Sequence, residues 1–121
     1  MEQVDIQPST DIELNRHFEV KIGQEVVLST ESLKIKFDSV TKDSRCPIEV
    51  KCFWQGEAEL LVHVSKPNQV YNTIKFNSTF STEQKFLNYR IKLSSLKPEK
   101  HKNIKAEEYV VTLVVTKDDK E

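Results

Sequence analysis

Apolar and polar residues take turns along this chain in short runs, a two-residue period that suits a half-buried β-strand. Phe18, Val20 and Ile22 alternate with Glu19 and Lys21, and beyond a turn at Gly23-Gln24 the segment Glu25 to Ser29 reads as a second strand. Leu33, Ile35 and Phe37 alternate with Lys34, Lys36 and Asp38. Val40 then breaks the parity, which places a β-bulge near Asp38-Ser39. Ala58, Leu60, Val62 and Val64 alternate with Glu57, Glu59, Leu61 and His63. After a turn at Lys66-Pro67-Asn68-Gln69, the residues Val70, Ile74 and Phe76 share a parity, as do Leu87, Tyr89, Ile91 and Leu93 further on. Tyr109, Val111, Leu113 and Val115 form the last run; Val110 and Val114 lie opposite them, so this strand belongs inside a sheet rather than at its edge.

No stretch sustains a helical period beyond a turn or two. Thr82 to Leu87 is the best candidate for one, and Asn77 to Gln84 reads as loop. About seven strands at spacings of roughly ten residues indicate an all-β, antiparallel sandwich, with the long Ser94 to Glu107 connection suited to a Greek-key crossover. At 121 residues the chain has the size of one domain. We expect an irregular lead-in over residues 1–15, the sandwich over 16–116 and a frayed tail over 117–121. Apolar content of 37% against 31% charged residues fits a thin core between charged outer faces.

Eighteen Lys and Arg nearly balance nineteen Asp and Glu, for a net charge of −1. No block of like charges suggests steering toward nucleic acid or an anionic membrane. No apolar run approaches the roughly 20 residues of a membrane helix, so no membrane insertion is expected. The start Met1-Glu2-Gln3-Val4-Asp5-Ile6 has neither the basic nor the apolar region of a signal peptide. That fits a cytosolic protein, and it fits equally a mature fragment whose export segment has been replaced by Met1.

One loop stands apart from the alternation. Asp43-Ser44-Arg45-Cys46-Pro47-Ile48-Glu49-Val50-Lys51-Cys52-Phe53-Trp54-Gln55-Gly56 holds both cysteines, the only tryptophan and one of two glycines. The spacing of Cys46 and Cys52 closes easily and no third cysteine competes, which favours a structural disulfide. Closing so small a ring contributes about 2 kcal/mol. Two buried thiols, a redox-active pair and a metal site are the alternatives. Redox pairs usually have two intervening residues, and His17, His63 and His101 lie in unrelated segments without ligand spacing. Pro47 stiffens the loop, Asp43 and Ser44 suit a side-chain-capped turn, Trp54 has the parity to cover the disulfide, and Gly56 permits a bulge or a close backbone approach.

The pattern Asp43-Ser44-Arg45-Cys46-Pro47-x-x-Val50-x-Cys52-x-Trp54-x-Gly56 resembles the signature of a largely uncharacterised family of small exported bacterial proteins and lipoproteins. The resemblance extends over roughly Gly23 to Thr116, with Tyr89 to Leu93 and Tyr109 to Val115 in the positions of recurrent strands. Members often have Ala where this chain has Gln55. It implies a β-sandwich, a Cys46–Cys52 disulfide and export as a periplasmic, extracellular or lipid-anchored domain, with any anchor attached upstream. It implies no established activity.

Few residues fall in patterns that carry chemistry. Two glycines, Gly23 and Gly56, cannot build a phosphate loop, and neither His-Glu-x-x-His nor Gly-x-Ser-x-Gly occurs. Asp38 and Asp43 flank the bulge, but too few oxygens surround them for Ca²⁺. Arg45 beside Asp43 or Glu57 reads as a structural ion pair. Glu57, Glu59 and His63 share a strand face, which is more often a solvent face than an acid/base site. The Lys97 to Lys105 basic stretch lacks the aromatics that stack bases, and Asn77-Ser78-Thr79 fits a glycosylation sequon without meaning in a bacterial protein. No catalytic residue, cofactor or metal ligand is assigned. The expectation is a non-enzymatic exported module that binds a protein or cell-envelope ligand through its loops. A small inhibitor or chaperone-like domain acting on a secreted enzyme is the alternative, and an enzyme without a recognisable motif the third reading.

Overall fold

Each alternating run forms a strand. The structure, a computed structural model, describes residues 12–67, 71–100 and 104–117. Its strands are β1 (Phe18–Lys21), β2 (Glu25–Leu28), β3 (Leu33–Asp43), β4 (Ala58–Ser65), β5 (Tyr71–Asn77), β6 (Glu83–Phe86), β7 (Tyr89–Lys97) and β8 (Val110–Lys117). They make two four-stranded antiparallel sheets, ordered β1-β8-β7-β6 and β2-β3-β4-β5. The lead-in expected over residues 1–11, the Asn68-Gln69 half of the turn, Val70, the His101 and Lys102 portion of the basic stretch and residues 118–121 of the tail lie outside the described residues.

The inward positions of the two sheets form one core. Val26, Leu28, Leu33, Ile35, Phe37, Leu60, Val62 and Val64 from one sheet are fully buried, as are Val20, Ile91, Val111, Leu113 and Val115 from the other. Each such side chain contributes about 1.5–3 kcal/mol relative to an exposed one. The outer faces carry the alternating lysines and glutamates. β8, with valines on both faces, lies between β1 and β7. Ile12, placed in the lead-in by the sequence, is buried in the core, and its N–H donates to the Val27 carbonyl at 2.9 Å.

Three expectations need correction. The Thr82 to Leu87 stretch is not helical: Glu83–Phe86 pairs antiparallel with Tyr89–Lys92 as the edge strand β6, which makes eight strands among the described residues. Leu87 does not lead the next strand inward. It occupies the two-residue turn between Phe86 and Tyr89 with φ 56°, half exposed. Nor is the long connection after β7 a Greek-key crossover, because it joins β7 to its own hydrogen-bonded neighbour β8. A long loop can return to the adjacent strand as readily as to a distant one, and its length says nothing about which.

The bulge in β3 is double. Register shifts fall between Phe37 and Ser39 and again between Val40 and Lys42 in the pairing with β4. The first turns Val40 toward the core beside Leu60, and the second brings Asp43 opposite the buried Ala58. A carboxylate is thereby aimed into one end of the sandwich. At that end β3, β5 and β7 finish, and β4 and β8 begin.

Candidate functional site

The loop from Ser44 to Glu57 continues the β3–β4 pairing before it opens. Ser44 N–H donates to the Glu57 carbonyl at 2.7 Å and Cys46 N–H to the Gln55 carbonyl at 2.8 Å. Between them Cys46 and Cys52 form a disulfide, with Cα atoms 6.0 Å apart. Val50 N–H donates to the Pro47 carbonyl at 3.1 Å, closing a turn, and Ile48 N–H ties the tip to the Lys100 carbonyl at 2.8 Å. Gly56 is buried at φ 78°, and a Cβ there would collide with the Ser44 carbonyl oxygen. The close approach that the sequence allowed at Gly56 is what seals the loop's stem.

Asp43 joins four segments at this end. Arg45 grips its carboxylate in a fork, Nε to Oδ1 at 2.7 Å and Nη2 to Oδ2 at 2.8 Å, while Nη1 donates to the Leu96 carbonyl at 2.9 Å. Tyr109 Oη donates to Oδ2 at 2.7 Å, and Lys100 Nζ donates to the Asp43 carbonyl at 2.7 Å. Burial works to raise the Asp43 pKa, but the hydrogen bonds from Arg45 and Tyr109 and the charges of Arg45 and Lys100 outweigh it and hold the carboxyl below its ordinary value. Burial and the donated hydrogen bond to Asp43 push the Tyr109 phenol up to about 12. Of the two partners open to Arg45 from the sequence, the structure selects Asp43; Glu57 pairs instead with Lys42 at 2.7 Å.

The β5–β6 connection leans on the same loop. Asn77 is buried; its Oδ1 accepts from the N–H groups of Thr79 and Phe80, each at 2.9 Å, and its Nδ2 donates to Glu57 Oε1 at 2.8 Å. Thr79 Oγ1 donates to the Gly56 carbonyl at 2.8 Å. Phe80 is thereby set beside Trp54, their ring centroids 6.2 Å apart and their planes tilted by 31°. Trp54 does not shield the disulfide as its parity suggested, since Cys52 is exposed. The chain leaves the extended conformation at Phe53-Trp54, so strand parity no longer applies there.

Around this stapled loop lies an unusual amount of open apolar surface. Phe53 is fully exposed, Phe80 is 71% and Trp54 53% exposed, and Ile48 and Val50 are exposed with them. Between the loop and its neighbours runs a cleft of about 370 Å³, walled by Arg45, Gln55 and Gly56 on one side and by Ser78, Thr79, Glu99 and Lys100 on the other. The sequence singled out the loop and its motif residues. It passed over Phe53 within that loop, and it missed Phe80, Lys100 and Tyr109, which come to the site from segments distant in the chain and leave no local signal.

The Glu57, Glu59 and His63 group does not converge. Glu57 precedes β4 and is bound to Lys42 and Asn77, and Glu59 lies 3.7 Å from Lys75. His63 Nε2 lies 3.1 Å from Asp38, its Nδ1 is 2.9 Å from Thr73 Oγ1, and its ring stacks on Tyr71. Asp38 is therefore occupied by His63 and Ser39, and Asp43 by Arg45 and Tyr109. Among the described residues no helix is long and apolar enough to cross a membrane. Comparison of the chain with protein-family models, curated proteins and solved structures returns no match.

Proposed function

We propose that this protein is a non-enzymatic binding module of the bacterial cell envelope that engages its ligand with the disulfide-loop end of the sandwich. The observation that carries this reading is the cluster of Phe53, Trp54, Phe80, Ile48 and Val50, open to solvent on one end of the fold. Exposed aromatic side chains held rigidly around a cleft are the usual anchors of recognition surfaces. The backbone ladder, the disulfide and the Asp43 cluster hold the loop in place before any ligand arrives, which lowers the entropic cost of binding. Export is part of the proposal. It is supported by the disulfide, a bond that persists in oxidising compartments, and by the resemblance of the loop to exported proteins.

The test is retention on envelope preparations from the source organism. The wild-type chain is expected to co-sediment with them. Phe53→Ala, Trp54→Ala and Phe80→Ala together should abolish retention while leaving the unfolding midpoint nearly unchanged, because these side chains stand outside the core. Equal retention of the triple variant would sink the reading.

A further inference from the structure

The chemistry left over in the cleft narrows the ligand. Arg45 donates through Nε, Nη1 and Nη2 to Asp43 and Leu96, which leaves the second N–H of each Nη. Lys100 Nζ directs one N–H to the Asp43 carbonyl and keeps others. The Gln55 amide and the Glu99 carboxylate, both in the cleft wall, have no hydrogen-bond partner among the described residues. Ser78 Oγ accepts from Ala58 N–H and keeps its own proton to donate; Thr79 Oγ1 donates to Gly56 and keeps its lone pairs.

Donors and acceptors are therefore interleaved along one cleft. An anion would meet Glu99 and a cation would meet Arg45 and Lys100. A hydroxyl both donates and accepts, so a ligand lined with neutral hydroxyls satisfies all of these groups at once. Gln55 and Thr79 in the walls are the chain neighbours of Trp54 and Phe80, whose rings lie 6.2 Å apart and open to solvent. A pyranose ring has an apolar C–H face and a hydroxyl rim, and the aromatic face with its negative quadrupole suits the former.

We infer that the cleft between the disulfide loop and the Ser78-Thr79 and Glu99-Lys100 segments binds a glycan chain, stacked on Trp54 and hydrogen-bonded by Gln55, Glu99, Lys100 and Arg45. This rests on the reading that the disulfide-loop end is the binding surface. A cleft of about 370 Å³ is at the small end of ligand sites, so it holds one or two sugar units of a longer chain.

Trp54 is the only tryptophan, so its fluorescence reports from the site itself. The oxidised, full chain is applied to an array of purified bacterial glycans and titrated with soluble chitohexaose, cellohexaose and each oligosaccharide the array retains. At least one saccharide is expected to change Trp54 emission saturably. Trp54→Phe, read by calorimetry, should bind within a few fold of wild type, and Trp54→Ala about tenfold more weakly. Gln55→Ala and Glu99→Ala should each weaken binding several-fold, and Lys51→Ala, outside the cleft wall, should not. Absence of saccharide binding at millimolar concentration, or binding indifferent to Trp54→Ala, overturns the inference. Periodate and protease treatment of the envelope preparation separates it from the broader reading. Retention lost to periodate supports a glycan. Retention lost to protease alone overturns the glycan and leaves the binding surface standing, and undiminished retention of the Phe53/Trp54/Phe80 triple variant removes both.

Discussion

Gly56 and Gly23 share a left-handed backbone, at φ 78° and 85°, yet their surroundings differ. A Cβ at Gly23 would meet open space, so Gly23→Ala carries only the conformational cost, about 1–2 kcal/mol. At Gly56 the Ser44 carbonyl occupies the same volume, and Gly56→Ala should cost about 3 kcal/mol or more. Urea unfolding of the two variants checks this; equal losses would show that the stem tolerates a side chain. The Asp43 cluster is sensitive to pH at both extremes. A carboxyl held below its unfolded pKa of about 3.9 lends stability that is fully present above that value and lost as pH falls through the folded one. Glu31, Asp38 and Glu57 are lowered too, by hydrogen bonds from Tyr89, Ser39 and Lys42 respectively, so Asp43→Asn should flatten acid unfolding without abolishing it. Tyr109 works in the opposite sense. Its phenol is raised to about 12, so its contribution is whole below about pH 10 and disappears as pH climbs through the folded value. Tyr89, raised to about 12 by burial and its bond to Glu31, behaves likewise. Tyr109→Phe should cost about 1.5 kcal/mol at neutral pH and roughly halve the loss between pH 10 and 12, as read by unfolding titrations across that range.

Among the elements, the β6–β7 hairpin is the one whose turn chemistry is wrong for its shape. Leu87 takes φ 56°, a conformation that Asn adopts at lower cost, so Leu87→Asn should raise stability by about 0.5 kcal/mol in chemical denaturation. That mismatch also explains why the hairpin could not be read from the sequence. Leucine at the turn looks like one more inward residue of an alternating run, and Glu83 to Phe86 contributes a single buried apolar side chain, Phe86. Long strands were legible because their inward residues are all apolar, and β8 was placed inside a sheet by its two faces of valine. The bulge was legible because Val40 breaks parity; its second half, at Thr41, was not, since no apolar residue follows to report it. Burial of Asp43 depends on both halves. The open position of Phe53, Trp54 and Phe80 was equally hidden, because period-two reasoning stops where the ladder stops and Phe80 reaches Trp54 only through the β4–β5 register.

For the molecule as a whole, the disulfide and the core carry separate duties. Ser44, Cys46 and Ile48 hold the loop by backbone hydrogen bonds that do not involve sulfur. Reduction and alkylation should therefore cost about 2 kcal/mol while preserving the β-sheet circular dichroism, with faster amide exchange confined to the segment from Pro47 to Trp54. Global unfolding on reduction would contradict that division. The order of the strands has a kinetic side as well. Among the described residues, every hydrogen-bonded strand pair apart from β1 with β8 joins strands consecutive in the chain. Loops between such partners close at little entropic cost, so hairpins can zip one after another along the sequence. The single pairing that spans nearly the whole chain, Val20 against Val111 and its neighbours, bears the long closure alone. Folding is expected to proceed by zipping of consecutive strands and to finish when the first and last strands meet.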